Sequence, residues 1–375
     1  MNIKEIAEIK RRFRAEKSNI VRIRGCLVNE KKEIISCFDQ SLALMSLEES
    51  EEILALLRKT LSGAPGRNLI DLSFTNAQVL DSEEHRLLST LRASALADDE
   101  AVNTLIDRIR ASHQSEGNYV ILLAADSYDV PAYGTDGHKK EDTANLYTYI
   151  LCAVCPIKMT KSALGYRITE NSLRNVTPDW LVSPPEIGFL FPAFDGRTAN
   201  IYNTLFYTKD VADNHEALIA SLFHSEAPMP AAEQKESFRT ILRDTLGEDC
   251  SIEVVKTVQE QFTGLITEHK ASKEPDTLLV TRDTIGEVLR TCQVDEEHIE
   301  RLEQRFDEAF GKRAALPPEN IVDTRQLEVR TPETSIRLPA EMSDLVETRI
   351  IDGQKYILIR VDSTVEVNGI EIHIE

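Results

Sequence analysis

Apolar positions recur along this chain with two different periods, and the changes of period mark its elements. Ile3, Ile6, Ile9 and Phe13 fall at helical spacing, which predicts an amphipathic first helix with Glu8 and Arg12 one turn apart on its exposed face. In IVRIRGCLV the period drops to two. Val21, Ile23 and Leu27 take one side and Arg22 and Arg24 the other, which predicts a strand. The polar turn at Asn29 and Glu30, followed by EIISCF, makes that strand the first arm of a hairpin. SLEESEEILALLRKTLSG carries the signals of a complete helix: Ser46 as cap, Glu48 and Glu49 at the positive end of the dipole, and Gly63 at the close. Two further helices are predicted over 81–93 and 98–112.

From Asn118 the pattern turns to β. YVILLAAD reads as a buried strand, DSYDVPAYGTDGHKKEDT as a polar loop, and NLYTYILCAV as the next strand. Short strands follow near Tyr166 and Trp180 and in GFLFPAF and NIYNTLFYT. Their connections are too short for helical crossovers, so the sheet is predicted to be mostly antiparallel. Helices return in NHEALIASLF, EQKESFRTILRDTL, SIEVVKTVQEQFTGLITEHK, TIGEVLRTCQV and DEEHIERLEQRFDEAFG. LPPEN reads as a linker. Beyond it the chain is β-rich, with Asp352-Gly353 and Asn368-Gly369 as hairpin turns, because both residue types at each turn tolerate positive φ. The expected fold class is therefore α+β. A mixed N-terminal region with a central antiparallel sheet spans 1–225, a helical segment 226–315, and a small C-terminal β module 316–375.

Composition narrows the function classes. The 375 residues are 42% hydrophobic and 28% charged, which suits a globular protein with more than one core. The net charge of −20 repels DNA and anionic membrane, so neither is expected as a partner. Such a field decays over roughly 8 Å at physiological salt, so a local basic patch can still hold an anion. The first residues lack the apolar core of a signal peptide, and the clean apolar run at 120–125 is too short to cross a bilayer. A cytoplasmic location follows as the expectation, with the six cysteines as reduced thiols.

Four features could carry chemistry. In YILCAVCPIK, Cys152 and Cys155 sit three apart, but strand alternation sends positions three apart to opposite faces, which argues against a shared metal or a redox pair. The acidic stretch after YVILLAAD holds Asp126, Asp129, Asp136, His138 and Asp142. Carboxylates at a strand end are the ligands that magnesium or manganese takes in hydrolases and nucleases, though a solvated turn explains the same residues. LSGAPGRNLI offers Gly63, Gly66 and Arg67 in the manner of a phosphate or nucleic-acid clamp, against the plainer reading of a helix end. Lys10, Arg11, Arg12, Arg14, Lys17, Arg22 and Arg24 make a basic N-terminus on an acidic body. They serve either as a site for RNA or an acidic protein surface, or as internal partners, with Arg22 and Arg24 bridging to the glutamates of the following helix. There is no HExxH, no GxSxG and no EF-hand spacing.

KTLSGAPGRNL, YILCAVCPIK, GFLFPAFDGR, LVETRIIDGQKYILI and VEVNGI, in that order, resemble a bacterial family known as domain of unknown function 4317. The resemblance runs over nearly the whole chain and implies a bacterial, cytosolic protein. It implies no activity, cofactor or catalytic residue. The leading expectation is a non-enzymatic binding or accessory protein without a cofactor, using Arg12, Arg22, Arg24 and Arg67 to hold RNA or an acidic protein face. The alternative is a magnesium- or manganese-dependent hydrolase or nuclease using Asp126, Asp129 and Asp136.

Overall fold

The structure is a computed structural model that describes residues 1–133, 139–176, 179–361 and 364–373. The chain divides into two compact units, one of residues 1–231 with 275–277 and the other of 232–274 with 278–375.

The first unit runs α1 (Ile3–Lys10), β1 (Arg22–Val28), β2 (Ile34–Ser41), α2 (Leu47–Lys59), β3 (Leu69–Ser73), α3 (Asn76–Asp81), α4 (Glu83–Ala93) and α5 (Asp99–Ser112). It continues with β4 (Tyr119–Tyr133), β5 (Lys139–Met159), β6 (Ala163–Arg167), β7 (Ser172–Val176), β8 (Trp180–Val182) and β9 (Ile187–Phe191). It closes with β10 (Ala193–Asp195), β11 (Thr198–Asn200), β12 (Asn203–Thr208) and α6 (Glu216–Phe223). The main sheet has the order β2-β1-β4-β5-β9-β12-β3, with β8 extending β5, and every one of these pairings is antiparallel.

Both faces of this sheet are covered, and alternation along each strand sorts the side chains between them. Ile121, Leu123, Ile150, Cys152 and Phe189 pack with α4, α5 and α6 on one face. Val120, Leu122, Leu151, Cys155 and Leu190 pack with Ile6, Ile9 and Phe13 and with Leu54 and Leu57 of α2 on the other. Cys152 and Cys155 therefore lie in different cores, and burial pushes both thiols up, Cys155 to about 12. Local signals start the helices: Asn2, Ser46 and Thr75 each close a capping box, and Ser82 and Asp98 cap α4 and α5.

The second unit holds α7 (Ala231–Leu246), α8 (Ile252–Ser272), α9 (Arg282–Thr291) and α10 (Glu296–Phe310), then hairpins β13 (Gln326–Arg330) with β14 (Ser335–Pro339), β15 (Val346–Ile351) with β16 (Gln354–Ile359), and β17 (Val365–Val367) with β18 (Ile370–Ile372). At both expected turns the Asp-Gly and Asn-Gly residues have positive φ. The α+β class is as the pattern predicts: one large antiparallel sheet, helices in the middle of the chain, and small C-terminal sheets. Among the described residues no helix is long and apolar enough to cross a membrane.

Two local expectations are corrected. The stretch from Asp126 is not a loop: β4 continues to Tyr133, with Asp126 opposite Tyr149 and Asp129 opposite Leu146. Its period of two survives in a polar composition, with Asp126 and Val130 buried and Asp129 exposed. LPPEN is not a free linker either. Leu316 and Val280 exchange backbone hydrogen bonds, and the buried Asn320 donates to Gln234 at 3.0 Å. Two prolines end a helix equally well inside a core, provided the neighbouring N–H groups find acceptors.

Candidate functional site

The four arginines singled out in the sequence do not share a surface. Arg22 and Arg24 alternate on β1 with Cys26 and Val28, so they face the α4–α5 side. Arg22 donates to Asp39 at 3.0 Å. Arg24 pairs with Asp99 at 2.7 Å and donates to the Leu96 carbonyl at 2.9 Å. Their partners are thus Asp39 and Asp99, not the glutamates of α2. Arg67 lies in the turn after α2, where the Ala64 carbonyl receives the N–H groups of Arg67, Asn68 and Leu69. Gly63 and Gly66 there have φ of 121° and 70°, the left-handed region in which glycine is favoured.

The acidic residues also separate. Asp126 is 5% exposed and fully engaged. Its Oδ1 accepts the N–H groups of Asn19 and Ser127 at 3.0 and 2.8 Å, and its Oδ2 accepts the Tyr149 hydroxyl at 2.9 Å. Burial raises its pKa against the opposing pull of the Tyr149 hydrogen bond and the Arg12 charge. Asp129, three residues along the same strand, points to the opposite face and is exposed. Asp136 and His138 lie outside the described residues, as does the Asp142 side chain. Among the described residues no three His, Cys, Asp or Glu side chains gather where a metal ion could sit.

Arg12 belongs to a different arrangement. α1 buries Ile6 and Ile9 against the sheet and turns Lys4, Ala7, Glu8 and Arg11 outward. With Arg12, Lys17, Tyr128 and Arg197 these outer residues line a cleft of about 690 Å³. Glu8 is the carboxylate in its wall, and it is already occupied: Arg197 donates to it twice, at 3.1 and 2.8 Å, and Tyr128 donates its hydroxyl at 2.7 Å. The Arg12 guanidinium sits over the Tyr128 ring, and its buried Nε and Nη2 have no hydrogen-bond acceptor among the described residues. The Asp126 carboxylate stands 3.9 Å from Nε, a charge contact too long for a hydrogen bond.

A second cleft of about 390 Å³ adjoins the first through Ala7 and Arg11, and is lined by Lys10, Arg14, Arg58, Lys59 and Ser62 as well. It exists because α1 and α2 bring their C-terminal ends together, with Lys10 in the last turn of one and Arg58 and Lys59 in the last turn of the other. Cations suit helix C-termini singly. Here five crowd together, and among the described residues none of Lys10, Arg11, Arg14, Arg58 and Lys59 has an ion-pair partner. Burial, followed by the charges of Arg58 and Lys59, pushes the Lys10 pKa down. The two clefts form one strip in which Glu8 pairs with Arg197 and Asp126 faces Arg12, while the cations at the joined helix ends have no carboxylate partner among the described residues. The α1 cations were visible in the sequence. Arg58 and Lys59 were not, because nothing local says that the end of α2 lies beside α1.

Comparison with curated proteins finds no match. The family model described as Domain of unknown function (DUF4317) matches residues 1–370, and the chain belongs to that family.

Proposed function

We propose that this chain is a cytoplasmic binding protein that holds the phosphate backbone of RNA along the strip from Lys4 and Lys17 to Arg58 and Lys59. The observation that carries the reading is the crowding of Lys10, Arg11, Arg14, Arg58 and Lys59 at the joined ends of α1 and α2, without an ion-pair partner among the described residues, in a protein of net charge −20. Crowded like charges cost stability, and an anion seated between them removes the cost. Arginine supplies three of the five cations at the joined helix ends, Arg11, Arg14 and Arg58, and its planar fork matches a phosphate in two hydrogen bonds. The two adjoining clefts favour a polymer of repeated anions over a single small one.

The test is fluorescence anisotropy of a labelled single-stranded RNA across a salt series, with wild-type protein and the Arg11→Glu/Arg14→Glu/Lys59→Glu variant. Salt-sensitive binding that the variant loses supports the proposal. Equal binding by both proteins, or displacement of RNA by neutral and anionic competitors alike, rejects it. A variant-sensitive affinity for polyglutamate without one for RNA moves the reading to an acidic protein surface.

A further inference from the structure

The thiol pair that the structure does bring together is not the one conspicuous in the sequence. Cys26 on β1 stands directly opposite Cys37 on β2 in the antiparallel ladder, and their Sγ atoms lie 3.0 Å apart. That is inside the roughly 3.5–4 Å at which unbonded heavy atoms usually pack. Opposed residues of an antiparallel pair have Cα atoms about 4.5–5.5 Å apart, within the span that a disulfide bridges. Both cysteines are free thiols. Their exposure differs sharply: Cys26 is 0% exposed, enclosed beneath α5, whereas Cys37 is exposed on β2, the edge strand of the sheet.

We propose that Cys26 and Cys37 form a reversible disulfide, with Cys37 as the entry thiol, Cys26 as the resolving thiol, and a small-molecule disulfide of the glutathione type as oxidant. The Cys37 thiolate attacks one sulfur of the oxidant, its S–S bond breaks, and the departing thiolate takes up a proton. Cys26 then attacks the Cys37 sulfur of the mixed disulfide, the bond from Cys37 to the small thiol breaks, and the proton of Cys26 passes to the departing small thiolate, which leaves as a thiol. In sum two protein thiols lose two electrons and two protons, and one disulfide becomes two thiols. The order of events follows from access, since the oxidant reaches Cys37 and not Cys26. It agrees with the Cys26 thiol being pushed up to about 12, by burial first and then by its hydrogen bond with Cys37, which leaves it a poor first nucleophile. A compartment that keeps thiols reduced makes such a bond a switch rather than a staple. Its closure locks the register of the β1–β2 hairpin at the sheet edge.

The test treats the full chain with oxidised glutathione, quenches with an alkylating agent, and analyses tryptic peptides by mass spectrometry. The expected product joins peptide 25–31 to peptide 33–58, disappears on treatment with dithiothreitol, and leaves Cys152 and Cys155 alkylated only after unfolding. Cys26→Ala, which keeps a small apolar side chain in the core, is expected to trap glutathione on Cys37, with Cys26→Ser as a second version should the first fold poorly. Cys37→Ser is expected to leave Cys26 reduced. A wild-type protein that accumulates a glutathione adduct on Cys37 while Cys26 stays reduced overturns the proposal, as does one in which neither thiol reacts.

Discussion

The guanidinium carbon of Arg12 lies 4.9 Å from the centroid of the Tyr128 ring while its Nε stands 3.9 Å from the Asp126 carboxylate. One arginine thus forms the back wall of the basic cleft and faces a carboxylate that strand β4 has buried. Removing it leaves that carboxylate without its counter-charge. Arg12→Ala is expected to lower the unfolding free energy by about 2 kcal/mol, measured in urea. Asp126→Asn on the same background is expected to recover part of the loss, because the buried charge is then gone. Additive single effects in this double-mutant cycle would show that the two residues are not coupled.

The strip makes a quantitative prediction about salt. With around five phosphate contacts to single-stranded RNA, the logarithm of affinity is expected to fall against the logarithm of salt with a slope of about −3.5. The Arg11→Glu/Arg14→Glu/Lys59→Glu variant is expected to flatten that slope by about 2. Its melting temperature is expected to hold or rise, since the substitutions relieve repulsion at exposed positions. Arg24→Glu is expected to behave in the opposite way. It breaks the pair with Asp99 and the bond to the Leu96 carbonyl, so stability drops while RNA affinity does not follow.

His113 sets an acid limit on stability. It is 2% exposed, its ring meets Tyr119 edge-on at 4.9 Å, and neither ring nitrogen has a hydrogen-bond partner among the described residues. Burial first, then the neighbouring His215 and Lys32, lower its pKa from 6.5 to about 4, against a small opposing pull from Asp213. A histidine depressed in the native state takes its proton more readily in the unfolded chain. Its contribution is therefore fully present above pH 6.5 and is lost as pH falls through 4, by up to about 3 kcal/mol. His113→Phe keeps the ring contact and cannot titrate. The difference in unfolding free energy between variant and wild type is expected to widen in the variant's favour from pH 7 to pH 4. A constant difference over that range would rule the effect out.

Gly188 tests the sheet. A Cβ at this position in β9 would lie 2.4 Å from the Cys152 carbonyl oxygen on β5 and 2.6 Å from Cγ2 of Thr60 beneath it. A backbone oxygen in a ladder cannot swing aside as a side-chain tip can. Gly188→Ala is expected to cost about 3 kcal/mol in urea unfolding. At Gly117 a Cβ would meet nothing within 4 Å, so Gly117→Ala is expected to change stability little and serves as the control.

The same contrast between local and distant causes separates what could be read along the chain from what could not. Ser46 capping α2, the alternation that parts Cys152 from Cys155, and the positive φ at Asp352-Gly353 and Asn368-Gly369 depend on neighbours a few residues away, and all stood in the amino-acid pattern. The α+β class was legible for the same reason, and the family through the resemblance of its motif strings. Where polar composition concealed a period of two, as at Ser127 and Asp129 in β4, a strand passed for a loop. Pairing at long range was not written locally at all. That Arg24 would meet Asp99 and that Arg58 and Lys59 would stand beside Lys10 were decided by strand order and helix docking, whereas Cys26 faces Cys37 through the register of the hairpin already legible in the sequence. Short-range rules act on the torsions and hydrogen bonds of single turns. Which charges end up neutralised is set only when burial of the two apolar layers brings remote segments together.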